Sequence, residues 1–384
     1  MTSSPSIALV HDWLLMYGGA EKVLENLLEI FPGSPVYTLL YRPQAYQHST
    51  IAQADVRPSG LDRWPGIHKT HQLYLPAFPI AVEQLDLRGF DIVLSLSHTV
   101  AHGVLLNPNQ LHINYILSPA RFAWHQYQDY LEESPWARGL RSMLVKPVLH
   151  YFRLWDAAAA DRVDRIAAIS HWIEGAVRKA YRRDADVIYP PVDVERFTLS
   201  HDRGDTYITA ARLVSNKRID LIVRACTALG RKLVVVGEGP EKRRLARMAG
   251  KGVEFLGWQE DARLDALLGG ARAFIHAAED DFGIAPLEAL ATGCPVIALG
   301  RGAALETMRA GETGQFFAEP TVEALMDAIR RFEEDGQVFA PDTLRAHVLP
   351  FRKERFQQEF QSYVASAWAG FRASRPGAGV SSRQ

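Results

Sequence analysis

The chain has 384 residues, 43 Lys and Arg against 44 Asp and Glu, a formal net charge of −1, 47% apolar residues and two cysteines. The length suits two domains, the apolar fraction excludes wholesale disorder, and a charge near zero removes the electrostatic argument for a nucleic-acid partner. Cys226 and Cys294 are too few for a disulfide framework or a zinc site, which suits a reducing cytoplasm.

Residues 1–6 carry no charged side chain, and the apolar run 7–10 stops at His11-Asp12, so no secretory signal is expected. No stretch reaches the ~18 apolar residues of a membrane-crossing helix. The expected location is the cytoplasm, with peripheral contact at the inner face of the membrane left open.

The run 7–10 reads as a buried strand, and residues 20–30 follow with Val23, Leu24, Leu27 and Leu28 at helical spacing. Between them lies Gly18-Gly19-Ala20-Glu21. Glycines there let backbone approach a ligand and leave helix-start amides for an anion, although a tight strand-to-helix turn needs the same residues. Short apolar runs recur at 36–40, 92–96, 113–117 and 165–169, and Ser170 is placed to cap a helix through 180. Strand-then-helix alternation predicts the α/β class, with parallel sheets covered on both faces.

Residues 138–155 hold four basic residues, His150 and no acid, interleaved with apolar residues. They read either as an interfacial helix meeting anionic lipid or a polyprenyl-diphosphate acceptor, or as a packed helix with one wet basic face. Tyr189-Pro190-Pro191-Val192-Asp193 cannot continue a helix, and the polar stretch 200–205 precedes a new strand at 207–211. Further strands are expected at 232–236, 253–256, 273–276 and 295–299. We place a boundary near 195–205, giving doubly wound domains over 1–198 and 206–350 with a ligand crevice between them. A helix over 351–370 and a disordered tail over 373–384 complete the expectation.

Three constellations in the second half bear on chemistry. Arg212 and Lys217 follow the strand 207–211, where two cations can neutralise a leaving diphosphate; an ordinary solvated loop is the alternative. The turn Gly237-Glu238-Gly239-Pro240 lacks the third glycine of a dinucleotide fingerprint, since Lys242 stands there, so a turn near a nucleotide base fits better. Asp280 and Glu288 bracket Phe282-Gly283-Ile284-Ala285 at a helix start, pairing amides for phosphate with carboxylates for sugar hydroxyls. Charge is also unevenly spread: residues 212–247 hold ten bases against three acids, and 254–345 hold seventeen acids against seven bases.

With these residues assembled, the chain resembles retaining GT-B glycosyltransferases of family 4, in particular the bacterial mannosyltransferase-like group, over roughly residues 7–330. The likeness rests on His11-Asp12-Trp13-Leu14, Gly18 to Glu21, Ser118-Pro119-Ala120-Arg121-Phe122-Ala123-Trp124, Tyr189 to Asp193, Arg212 to Lys217, and the acidic loop ending at Glu288 with Gly293-Cys294-Pro295-Val296 behind it. It implies two Rossmann-like domains with an interdomain cleft, the carboxy-terminal helix crossing back onto the first domain. It also implies retaining, metal-independent hexosyl transfer with no cofactor beyond the nucleotide sugar. Mannose from GDP-mannose is the first reading, a UDP-hexose the alternative, and a lipid-linked or polysaccharide-precursor saccharide the acceptor. A sugar epimerase or phosphorylase, or a non-catalytic nucleotide-sugar-binding protein, are the rival classes.

By position, the resemblance assigns Arg212 and Lys217 to the donor diphosphate, with Gly18 and Gly19 closing on the same phosphates. Glu288 falls to the ribose, Phe282, Gly283, Ile284 and Ala285 to the donor sugar and phosphates, and Gly237, Leu256 and Trp258 to the neighbourhood of the base. His98 is the candidate donor-sugar histidine, and Asp12, His102 and Arg121 are candidates for the acceptor side. Two positions depart from the family pattern. Asp280 stands where Glu is usual, shortening the reach by about 1.5 Å and leaving Glu279 as a substitute, and Leu117 stands where His is common.

Overall fold

The computed structural model describes residues 5–133, 142–334 and 339–374. It divides into two compact units, Met1–Tyr189 with Phe356–Gln384, and Pro190–Arg355. No helix among the described residues is long and apolar enough to cross a membrane.

The first unit is built on β1 (Ile7–His11), β2 (Val36–Thr38), β3 (Val56–Pro58), β4 (Ile92–Ser97), β5 (Leu111–Ile116), β6 (Arg165–Ala168) and β7 (Asp186–Val187). They form one sheet in the order β3-β2-β1-β4-β5-β6-β7, parallel throughout, with Leu9 opposite both Val36 and Leu94. Helices on both faces bury β4 and β5 completely, which is why their sequences run apolar instead of alternating. Buried Ser95 and Ser97 are satisfied laterally, by His112 Nε2 at 2.8 Å and Asn114 Oδ1 at 2.8 Å respectively. The edge strands β3 and β7, three and two residues long, are too short to leave a period in the sequence. From Phe356 onward the helix Lys353–Ala373 belongs to this unit: Phe356 and Phe360 pack on Tyr115 with ring centroids 5.8 and 5.2 Å away. Ala373, expected to open a disordered tail, still lies in that helix, and residues 375–384 fall outside the described residues.

The second unit carries β8 (Tyr207–Ala210), β9 (Leu233–Val236), β10 (Val253–Gly257), β11 (Phe274–His276), β12 (Val296–Leu299) and β13 (Gly314–Phe317), in the order β10-β9-β8-β11-β12-β13. All neighbours are parallel. The helix Ile219–Leu229 buries Ile219, Ile222, Val223 and Cys226, and the helix Val322–Glu334 buries Val322, Leu325, Ala328 and Ile329. The two helices pack on each other over one face of the sheet, where Val235, Ile275 and Ile297 join them in one core. Residues 190–205 join this unit because their backbone is tied into it. Ser200 N donates to Thr292 O at 3.0 Å and Gly204 N to Gly270 O at 2.8 Å, while Arg203 Nη2 reaches Gly293 O and Phe339 O.

Candidate functional site

In each unit the chain winds outward in both directions from a pair of central strands, β1 and β4 in the first and β8 and β11 in the second. Loops leaving such a pair diverge and open a crevice at the carboxyl ends of the strands. The residues singled out from the sequence gather on those two edges, and each edge is described separately.

In the second unit Arg212 and Lys217 follow β8, and His276 and Asp280 follow β11. Arg212 is exposed and has no ion-pair partner among the described residues. Lys217, in the short turn Ser215–Lys217, places Nζ 2.6 and 2.7 Å from the two Asp280 oxygens. His276 Nε2 stands 3.3 Å from Asp280 Oδ2. Burial opposes charge on this carboxyl, but the Lys217 ammonium and His276 outweigh it and hold Asp280 well below the usual carboxylate range. The shorter acid is thus engaged by Lys217 instead of standing free.

Phe282 does not line an open surface: it is buried against Phe351 at 5.8 Å and anchors the loop. Behind it Gly283, at φ +85, turns the chain into the helix Ile284–Ala291, whose first amides receive no side-chain cap. Those of Ile284 and Ala285 are free to meet an anion. Glu288 lies one turn further on, largely shielded, with Arg196 Nη2 3.9 Å away. Gly237 serves the site indirectly. At φ +127, a Cβ there would come 2.0 Å from the Ala211 carbonyl oxygen, so glycine lets the β9 turn press against the Arg212 loop. Leu256 is half-buried at the end of β10, and Trp258 beyond it is 70% exposed on the same edge.

In the first unit the helix Gly19–Ile30 starts at Gly18 with no side-chain cap. Gly18 is extended, so glycine is used there for space: a Cβ would come 3.3 Å from Glu21 Oε2. Glu21 Oε1 lies 3.4 Å from Nε2 of buried His11, whose Nδ1 lies 3.1 Å from Leu96 O. Burial disfavours the imidazolium, yet Glu21 and Asp12 outweigh it and raise the His11 pKa.

Asp12, expected on the acceptor side, is wholly buried. It accepts the amides of His98 at 2.6 Å, Thr99 at 3.0 Å, Val100 at 2.5 Å and Ala101 at 2.7 Å. It therefore fixes the loop after β4 and has no surface for a substrate. Burial works against its charge, but His98, His11 and these amides lower its pKa. His98 is held by that loop, with Nδ1 2.9 Å from Thr99 Oγ1 and 3.5 Å from Asp12 Oδ2. Its ring stands edge-on to Trp13 at 4.7 Å, and its side chain keeps 27% exposure. Burial lowers its pKa, so the imidazole is neutral at pH 7. His102 is also buried, its Nε2 3.2 Å from Asp156 Oδ1, among Trp124 and Tyr181, which donate to Asp156 Oδ2. It is a core residue here. Arg121 is half-buried beyond β5.

Three residues of these edges were not assigned roles from the sequence: His276, His11 and Glu21. Both histidines close a buried strand beside a divergence point, a position that could have marked them.

Residues 193–346 match the family model described as Glycosyl transferases group 1. Glycogen synthase of Xanthomonas campestris pv. campestris is 26% identical over 186 residues, covering 46% of this chain and 37% of that relative's length. HepE of Anabaena, solved in complex with UDP and glucose, matches with a TM-score of 0.70 and 17% identity over 94% of this chain and 100% of its own. Sucrose-phosphate synthase from Thermosynechococcus elongatus matches with a TM-score of 0.72 and 17% identity over 96% and 100%. At such identities the likeness establishes the fold, which is GT-B.

Proposed function

We propose that the chain is a glycosyltransferase moving a hexose from a nucleoside-diphosphate sugar to a saccharide acceptor. The observation that supports this is the second unit's edge, where Arg212 and Lys217 follow β8, Lys217 pairs with Asp280 after β11, and the uncapped amides of Ile284 and Ala285 open the helix that carries Glu288. Charge grows on the diphosphate as the bond to the sugar lengthens, so fixed cations and amides there favour the transition state over the ground state. In retaining transfer the donor C1–O bond breaks, the acceptor oxygen bonds to C1 on the same face, and its proton passes to the leaving phosphate oxygen. No cofactor or metal enters this proposed route. His98, neutral and held at Nδ1, offers Nε2 to a sugar hydroxyl.

A UDP-hexose is the donor this reading favours, because the solved relative HepE holds UDP and glucose; GDP-mannose draws no support from the comparisons. The acceptor is a saccharide, lipid-linked or part of a growing polysaccharide. The test is a thermal-shift series with UDP, GDP, ADP and their hexoses, followed by nucleotide release with and without acceptor. Selective stabilisation of about 2–3 kcal/mol at ~100-fold excess over Kd is expected for one nucleotide, and indifference to all of them would sink the reading. The Lys217–Asp280 pair, which neutralises part of the phosphate grip, favours a second reading, a nucleotide-sugar binder without turnover. Binding with no release across a broad acceptor panel would select it.

A further inference from the structure

Six of the thirteen large apolar side chains exposed among the described residues fall in two segments of the first unit: Trp64, Leu73 and Ile80, and Met143, Tyr151 and Leu154. Ile80 is 60% exposed and Tyr151 69%. Isolated exposed residues need no explanation, but clustering on one face does.

The two segments are joined. Glu83, one turn after Ile80 on the helix Phe78–Glu83, accepts from Trp155 Nε1 at 2.8 Å and Arg162 Nη2 at 3.1 Å, both from the chain around the helix Ser142–Asp161. Gly103 lets them close up, since a Cβ there would sit 2.3 Å from the Trp155 ring and 3.3 Å from Val82. On the long helix Met143, Lys146, Pro147, His150, Tyr151 and Leu154 are exposed, a stripe at helical spacing that Ala158 and Asp161 continue to the helix end, while Leu149 and Phe152 face the core. Between Trp64 and Ile80 lies a cavity of about 400 Å³ lined by Leu61, Trp64, Ala77, Ile80, Ala81 and Leu85 among others. Arg138 and Arg141, part of the basic stretch noted in the sequence, lie outside the described residues.

Charge on this face is mainly basic, with exposed Asp161 closing the carboxyl end of the long helix. Arg63, Lys69 and Lys146 are exposed and have no carboxylate partner among the described residues. Of the four acids of residues 59–85 and 142–161 three are engaged, Asp62 with His68 at 2.7 Å, Glu83 with Trp155 and Arg162, and buried Asp156 with Trp124 and Tyr181, and Asp161 is exposed at the helix end. The face also borders the first unit's candidate site. Trp13, edge-on to His98 at 4.7 Å, is packed against His71 at 5.5 Å and Phe78 at 5.7 Å.

We propose that this face, built on residues 59–85 and the helix Ser142–Asp161, seats the first unit on an anionic lipid bilayer and receives hydrocarbon in the Trp64–Ile80 cavity. Exposed Trp, Ile, Leu and Met enter the interface, while Arg63, Lys69 and Lys146 meet headgroup phosphate. A protein seated this way holds Trp13 and His98 next to the headgroup layer, where the sugar of a lipid-linked acceptor stands. That last consequence rests on the transfer reading; the lipid seat does not.

The test is co-sedimentation of the full chain with phosphatidylcholine vesicles, with and without about a third phosphatidylglycerol. Binding only to the anionic vesicles is expected, weakened at ~1 M salt, where the Debye length falls to about 3 Å. Ile80→Asp and Leu154→Asp, both at exposed positions, should each lower the bound fraction about tenfold with unchanged far-UV circular dichroism and unchanged nucleotide-induced thermal shift. Equal binding to neutral vesicles, no binding, or wild-type binding by both variants overturns the proposal. So does a concentration-dependent dimer without lipid that Ile80→Asp abolishes, which would give the face to a second copy. If vesicles bind as expected while no nucleotide shifts the melting temperature, the transfer reading fails and the lipid seat stands.

Discussion

Lys217 and Asp280 form a two-pronged ion pair, Nζ lying 2.6 and 2.7 Å from the two carboxylate oxygens, with His276 closing the far side at 3.3 Å. A diphosphate reaching this edge must compete with Asp280 for the ammonium. Asp280→Asn keeps the shape and removes the competitor, so affinity for a nucleoside diphosphate should rise several-fold by calorimetry. Lys217→Ala should lower turnover by about 10²–10³ and, since it leaves a shielded carboxylate with only His276, cost about 1–3 kcal/mol of stability. Intact turnover in Lys217→Ala would remove the diphosphate assignment.

The same pair sets an acid limb to stability. The Asp280 pKa is lower in the fold than its reference value of 3.8, so its contribution is fully present above that value and is lost as pH falls toward the folded pKa. His11 acts in the opposite sense. Its folded pKa lies above 6.5, so its contribution is present below pH 6.5 and is lost as pH rises through the folded pKa. Urea midpoints measured across pH should therefore decline less steeply on the acid side in Asp280→Asn and on the neutral-to-alkaline side in His11→Gln. Curves parallel to wild type would contradict the assignment.

Asp12 and His98 are separable by what each mutation damages. Asp12 satisfies four amides from a wholly buried position, so Asp12→Asn should cost about 2–3 kcal/mol in urea denaturation. It should also lower kcat through misplacement of His98. His98→Ala, at a partly exposed ring, should leave stability within about 1 kcal/mol and lower kcat directly. Equal stability losses in the two variants would contradict the division of roles.

Gly237→Ala tests the close approach of two loops. Its Cβ would meet a backbone carbonyl at φ +127, so a loss of about 2–4 kcal/mol is expected. A melting temperature near wild type would show that the β9 turn can withdraw from Ala211.

The two cysteines are inert in the fold. Burial pushes both Cys226 and Cys294 up to about 12, and both are fully buried, so neither thiol should react with an aromatic disulfide reagent until the chain unfolds. Fast titration of one native thiol would contradict this.

Much of this architecture could be read ahead of the structure because parallel strands buried on both faces leave apolar runs that need no alternation. β1, β4, β8 and β12 are of that kind. β13 escaped notice because it begins on glycine at the sheet edge, pressed against Val296. For the candidate site, the sequence placed its residues at strand ends without saying which way they face. Asp12 and His102 occupy the same kind of position as Arg212, yet the first two turn inward to amides and to Asp156 while Arg212 stays in solvent. Local sequence does not carry that difference, because it depends on partners 86 to 89 residues away for Asp12 and on the helix Ser142–Asp161 for His102.

The helix Lys353–Ala373 sets an order of assembly. Tyr115, in the middle of the first unit, is covered by Phe356 and Phe360, which leave the ribosome only after every residue of the second unit has been made. The second unit is continuous in sequence and can close before the first. Until the last helix arrives, the first unit carries an open aromatic seam, the kind of transient apolar surface that chaperones hold and that aggregation exploits. Fusions or truncations that delay or remove Phe356 and Phe360 should therefore lower soluble yield while leaving the second unit folded.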